Sequence, residues 1–125
     1  QSYDEPGEYD LPELKMLLLN YLNEERDTPR RIRNILLPLC LQKESITRED
    51  IKQKLVESKE AQDVGKAGIF IAWMSRELGL KKNDFLRQVI QWKKTRIKWW
   101  EKENYYIPEE YKELIREILD QININ

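Results

Sequence analysis

The sequence predicts a mostly α-helical domain that carries one short β-hairpin. Three observations lead there. Apolar residues recur every three or four positions in several separate stretches, helix start and stop signals lie between those stretches, and one segment near residue 100 is instead β-branched and aromatic. With four glycines and five prolines among 125 residues, the chain has too few turn formers for a loop-rich all-β fold.

Residues 1–10 read as a flexible leader, and 11–125 as a single domain with an N-terminal helical extension. Leu11, Leu14, Leu17, Leu18, Tyr21 and Leu22 mark a first amphipathic helix, with Pro12 compatible with its opening turn. Thr28-Pro29 predicts a second start, with Thr as N-cap and Pro at the first helical position. Ile32, Ile35, Leu36 and Leu39 are its buried stripe, and Pro38 is expected to kink or end it. In S-I-T-R-E-D-I, Thr47 caps a third helix with Asp50 as its capping-box partner. Ile46 is placed to staple onto Ile51, and Ile51, Leu55 and Val56 face inward.

A fourth helix is expected from about Lys66 to Leu78, with Ile69, Phe70, Trp73, Met74 and Leu78 apolar and Gly79 as a left-handed stop. A fifth, over 83–92, is capped by Asn83 or Asp84 and buries Phe85, Leu86, Val89 and Ile90. TRIKWW and YYI, separated by the polar EKEN, predict a two-stranded hairpin over 95–107. Pro108 then opens a last helix with the regular stripe Tyr111, Leu114, Ile115, Ile118, Leu119 and Ile122.

The overall charge of −1 conceals a strong asymmetry. Residues 1–29 carry eight acidic and two basic side chains, residues 30–107 eighteen basic and ten acidic, and residues 108–125 five acidic and two basic. The positive charge is densest at KKNDFLRQVIQWKKTRIKWW, residues 81–100. The chain has no histidine and one cysteine, which excludes histidine-based catalytic triads and zinc sites of the usual composition. Cys40, inside ILLPLCL, reads as a small core residue of a reduced compartment. No apolar run reaches the ~18 residues of a membrane span, so no membrane partner is expected and the localisation expected is cytoplasmic or nucleoid-associated.

Helix, helix, helix-turn-helix, hairpin and helix form an order that resembles the winged helix-turn-helix family. The stretch M-S-R-E-L-G-L (74–80) carries the likeness: apolar, small, two polar, Leu, Gly, apolar, with Ser75 at the close approach of the helices and Gly79 in the turn. Beyond the turn the pattern slips by about one residue. The likeness covers roughly residues 30–122, and ITREDIKQKL and EEYKELIREIL are also similar to segments of winged-helix modules attached to prokaryotic DNA-processing proteins such as restriction enzymes. It implies a mostly α, winged helix-turn-helix fold with an extra N-terminal helix and one hairpin wing. The implied role is binding of double-stranded DNA without catalysis, beside a fused or associated catalytic domain.

In that role the fifth helix enters the major groove with Arg87, Gln88 and Gln91 as base contacts, because their paired donors and acceptors match guanine and adenine edges. Lys81, Lys82, Lys93, Lys94, Arg96, Lys98 and Lys102 are the backbone or wing contacts. Trp99 and Trp100 are candidates for base stacking, although Trp92, Trp99, Trp100, Tyr105 and Tyr106 read first as hairpin core. Arg30, Arg31 and Arg33 offer phosphate contacts or simply a surface helix start. D-I-K (50–52) and E-S-K (57–59) mimic the acidic-x-Lys element of metal-dependent nucleases. They lie in a helix rather than on strands, so no catalytic residue, metal or cofactor is expected. The rival expectation is a protein-interaction module that uses the tryptophan-rich face. Met16, Leu17, Leu18 and Leu19 together exceed one helical face and leave room for a homodimer interface.

Overall fold

Helix α1 (Leu11–Leu22) starts where Asp10 leaves extended backbone and its carboxylate accepts from the Glu13 amide at 3.0 Å. The computed structural model describes residues 5–94 and 102–124. Pro12 sits in the first turn, where a missing N–H costs nothing, and Leu14, Leu18, Tyr21 and Leu22 are buried along one face.

The next helical run departs from expectation at its start and at its proline. Helix α2 (Asp27–Arg31) begins before Thr28, and no side chain caps it. Pro38 does not end the run. A π-helical turn (Ile32–Leu36) widens the backbone just ahead of it, with the Leu37 amide donating to Ile32 five residues back, and α3 (Leu37–Gln42) continues. The wider turn relieves the clash a proline ring makes with the carbonyl four residues earlier. Ile32, Ile35, Leu36, Leu37, Leu39 and Cys40 are all buried.

Helix α4 (Arg48–Glu57) carries the expected capping box: Thr47 Oγ1 accepts from the Asp50 amide at 3.2 Å, and Asp50 Oδ2 accepts from the Thr47 amide at 3.0 Å. It stops at Lys59, whose φ of 64° is the left-handed conformation expected of Gly79. Helix α5 (Val64–Gly79) includes Gly79 itself, and no described glycine has positive φ; the chain leaves through an extended Leu80. A 3₁₀ turn (Lys81–Asn83) leads into α6 (Asp84–Val89), six residues long where ten were expected.

Gln91 and Trp92, assigned by pattern to that helix, belong to strand β1 (Gln91–Lys94), which pairs antiparallel with β2 (Lys102–Tyr106). The register opposes Gln91 to Tyr106, Lys93 to Glu103 and Lys94 to Lys102, with an irregularity between Gln91 and Lys93. Ile46, just ahead of α4, exchanges two backbone hydrogen bonds of 2.9 Å with Tyr105 and so joins the sheet as an isolated bridge. Tyr105 is buried, with its hydroxyl 2.7 Å from Ser75 Oγ and its ring 6.4 Å from that of Trp92. The sheet is thereby fastened to α5. Helix α7 (Glu109–Ile124) closes the fold, burying Ile115 and Ile118 and packing on α1 and α3. The chain is mostly helical with a small two-stranded antiparallel sheet. Among the described residues no helix is long and apolar enough to cross a membrane.

Candidate nucleic-acid interface

The leader decides the fate of the expected reading residues. Residues 5–10 lie along α6: the Gly7 amide donates to Asp84 O at 2.9 Å, and the Tyr9 hydroxyl donates to Asp84 Oδ1 at 2.9 Å. That carboxylate holds the Tyr9 phenol above its usual range. Gln88, 6% exposed, accepts from the Tyr9 amide at 3.0 Å and donates to the Tyr9 carbonyl at 2.9 Å and to the Tyr111 hydroxyl at 2.8 Å. Arg87, 4% exposed, donates to the carbonyls of Glu5, Leu78 and Leu80 at 2.9, 2.9 and 2.6 Å.

The expectation that Arg87 and Gln88 form an exposed face is therefore corrected. Arg87 satisfies carbonyls at the end of α5, where a helix has no partners of its own. Gln88 binds the leader. Gln91 is half-buried on β1 and accepts from the Tyr106 hydroxyl at 2.9 Å. Every residue of α6 from Phe85 to Val89 is buried, which leaves this helix no surface to lay in a groove.

Several of the expected backbone contacts do lie outside the core. Lys81 and Lys82 are exposed in the 3₁₀ turn, and Lys93 is exposed on β1. Lys94 and Lys102 occupy directly opposed positions in the sheet register. Arg96, Lys98, Trp99 and Trp100 lie outside the described residues. Trp92 and Tyr106 are half-buried and Tyr105 is core, as pattern suggested for the hairpin aromatics.

The N-terminal arginines are structural. Arg30 and Arg31 both bind the Glu60 carboxylate, Arg31 Nε at 3.0 Å, and Arg31 is buried with its guanidinium carbon 3.6 Å above the centre of the Phe70 ring. Arg33 donates to Leu22 O at 3.0 Å, completing the end of α1. Arg26 and the Tyr21 hydroxyl share Glu77, at 3.0 and 2.7 Å, and burial together with that carboxylate raises the Tyr21 phenol far above its usual range. Burial pushes the Cys40 thiol up to about 12, so it is not a nucleophile at neutral pH. No cluster of three metal-binding side chains occurs among the described residues.

Of the apolar residues that pattern named in α5, Met74 and Leu78 are buried, beside Ala67 and Ile71, whereas Ile69 and Trp73 are 44% and 48% exposed. The signal was present: positions 67, 71, 74 and 78 are themselves at helical spacing, and the small Ala67 hid the stripe. No protein-family model, curated protein or solved structure matches the chain.

Proposed function

We propose that the chain is a duplex DNA-binding module of winged-helix type that grips the sugar-phosphate backbone with its hairpin. It reads no bases through α6. The element order supports the reading: α5 and α6, the pair that carries the helix-turn-helix likeness, precede the hairpin, and Ile46 ahead of α4 bridges to β2. Catalysis, where it is linked to this binding, resides in another domain or subunit.

The observation that carries the proposal is the opposition of Lys94 to Lys102. Like charges at directly opposed positions cost a sheet stability. A bound phosphate relieves that cost, and exposed Lys81, Lys82 and Lys93 add to the same sign of charge along the chain. A duplex backbone supplies phosphates in a regular row, and neutralising them releases counterions.

The test is fluorescence anisotropy of a labelled random-sequence duplex titrated at several salt concentrations, with the Lys94→Gln/Lys102→Gln variant alongside. The expected result is affinity that falls steeply with salt, and a variant whose slope of log K against log salt is shallower by about two. Absence of binding at low salt, or binding indifferent to salt, overturns the proposal.

A further inference from the structure

Helix α5 turns an apolar face with two cations away from the core. Lys66, Ile69, Ala72, Trp73 and Arg76 are all exposed and lie on the side of the helix opposite Ala67, Ile71, Met74 and Leu78. Trp73 is not loosely held. Its ring lies 5.6 Å from that of Phe70, and Phe70 is in turn covered by the Arg31 guanidinium anchored on Glu60. An exposed tryptophan fixed in place from behind loses little freedom on docking, the property of side chains that dominate interface energies. Neither Lys66 nor Arg76 enters an ion pair among the described residues.

The complementary surface lies elsewhere on the same molecule. A groove of about 440 Å³ between α1 and α7 has Leu11, Pro12 and Leu114 as its apolar lining and Glu110, Glu113 and Glu117 among its charged residues. Leu11 is 54% exposed there. Lys15 pairs with Glu117 and Arg116 with Glu113, whereas Glu110 enters no ion pair among the described residues. One surface is an apolar ridge with unpaired cations, and the other an apolar groove with an unpaired carboxylate.

We propose that α5 of one copy docks in the α1–α7 groove of a second copy, joining molecules head to tail. Trp73 and Ile69 fill the groove against Leu11 and Leu114 of the next copy, and Arg76 faces its Glu110. Charge complementarity sets the orientation, since apolar contact alone is non-directional. Because the two surfaces differ, each junction leaves one ridge and one groove free. The contact is therefore heterologous and propagates rather than stopping at a closed dimer.

Sedimentation velocity of the intact chain over a wide concentration range tests this, with circular dichroism confirming that each variant is folded. Wild type is expected to grow past the dimer as concentration rises. Arg76→Glu and Glu110→Lys, taken singly, are expected to weaken association about tenfold each, and the double variant to restore it. Mixing the two single variants gives a sharper result. The groove of the Arg76→Glu copy retains Glu110, and the ridge of the Glu110→Lys copy retains Arg76. The substituted ridge and the substituted groove are again opposite in charge, so the two kinds of copy alternate with a complementary junction at every contact, and the mixture grows past the dimer where each variant alone does not. A monomer at every concentration, or association unchanged by both single variants, overturns the proposal. So does a mixture no more associated than its separate components.

Discussion

Gln88 holds Tyr9 by both faces of its amide, accepting from the Tyr9 N–H at 3.0 Å and donating to the Tyr9 carbonyl at 2.9 Å. This is the hydrogen-bond pattern of a strand neighbour, supplied by a side chain 79 residues away. It fixes the leader as part of the fold. Replacing Gln88 with Ala removes these two bonds and the one to Tyr111, and should cost about 2 kcal/mol, since part of the stranded polar surface regains water. Amide exchange at Tyr9 and Gly7 should accelerate more than exchange in α4. Equal protection at Tyr9 in wild type and variant would show that the leader is held by something else.

Glu60 is the common acceptor of Arg30 and Arg31, and Arg31 is the buried member. Among the described residues Arg31 Nη1 has no hydrogen-bond partner, so this arginine depends heavily on its Nε contact to Glu60 and on the Phe70 ring. Glu60→Gln should therefore destabilise the fold by about 2 kcal/mol, the usual magnitude for a bond to a charged group. Phe70→Leu keeps the apolar volume but removes the ring, and a double-mutant cycle between Arg31→Met and Phe70→Leu should give a coupling of about 1 kcal/mol. A coupling near zero in urea denaturation would mean the stacking contributes nothing.

What the sequence made legible follows a physical line. Helices α4 and α7 were readable because each combines a single apolar stripe with local start chemistry, such as the Thr47–Asp50 box. Helix α5 carries two apolar stripes, and periodicity alone does not rank the stripe of Ala67 and Ile71 above that of Ile69 and Trp73. Helix α6 was misjudged for a different reason. Arg87 and Gln88 are polar, and polarity on a short helix reads as exposure; what buries them is a leader some eighty residues earlier, which no local window contains. Pro38 was read by its usual effect, whereas the π-helical turn ahead of it absorbs the clash.

The Asp50 carboxyl is held below the usual carboxylate range, first by the Thr47 backbone N–H it accepts from and then by Lys43. A carboxylate whose pKa is lower folded than unfolded contributes stability above its ordinary value of about 3.9 and loses it as pH falls through the folded pKa. Asp50→Asn keeps an acceptor at the cap and removes the titration. Wild type should exceed it in urea midpoint at neutral pH, with the gap closing once the solution is more acid than the folded Asp50 pKa. Thr47→Ala, by contrast, should cost about 1 kcal/mol at neutral pH, through loss of the other half of the box. A wild-type advantage over Asp50→Asn that persists unchanged into strong acid would show that the carboxylate's charge is irrelevant to the cap.

Arg87 separates the structural account of α6 from a base-reading one. Its guanidinium donates to three carbonyls, those of Leu78 and Leu80 at the end of α5 and that of Glu5 in the leader. Arg87→Met preserves much of the apolar stem and removes all of those bonds, leaving at least the Leu78 carbonyl without its donor inside the protein. The expected cost is about 3 kcal/mol, because stranded buried acceptors are more expensive than the net value of the bonds lost. Under conditions where the variant remains folded, its affinity for a duplex and the salt slope of that affinity should match wild type, since the hairpin and Lys81–Lys82 are untouched. Loss of duplex affinity in a variant shown by circular dichroism to be folded would return Arg87 to the binding surface. That outcome would require the leader to lift from α6 when DNA binds, and exchange at the Tyr9 amide in the presence of duplex would reveal it directly.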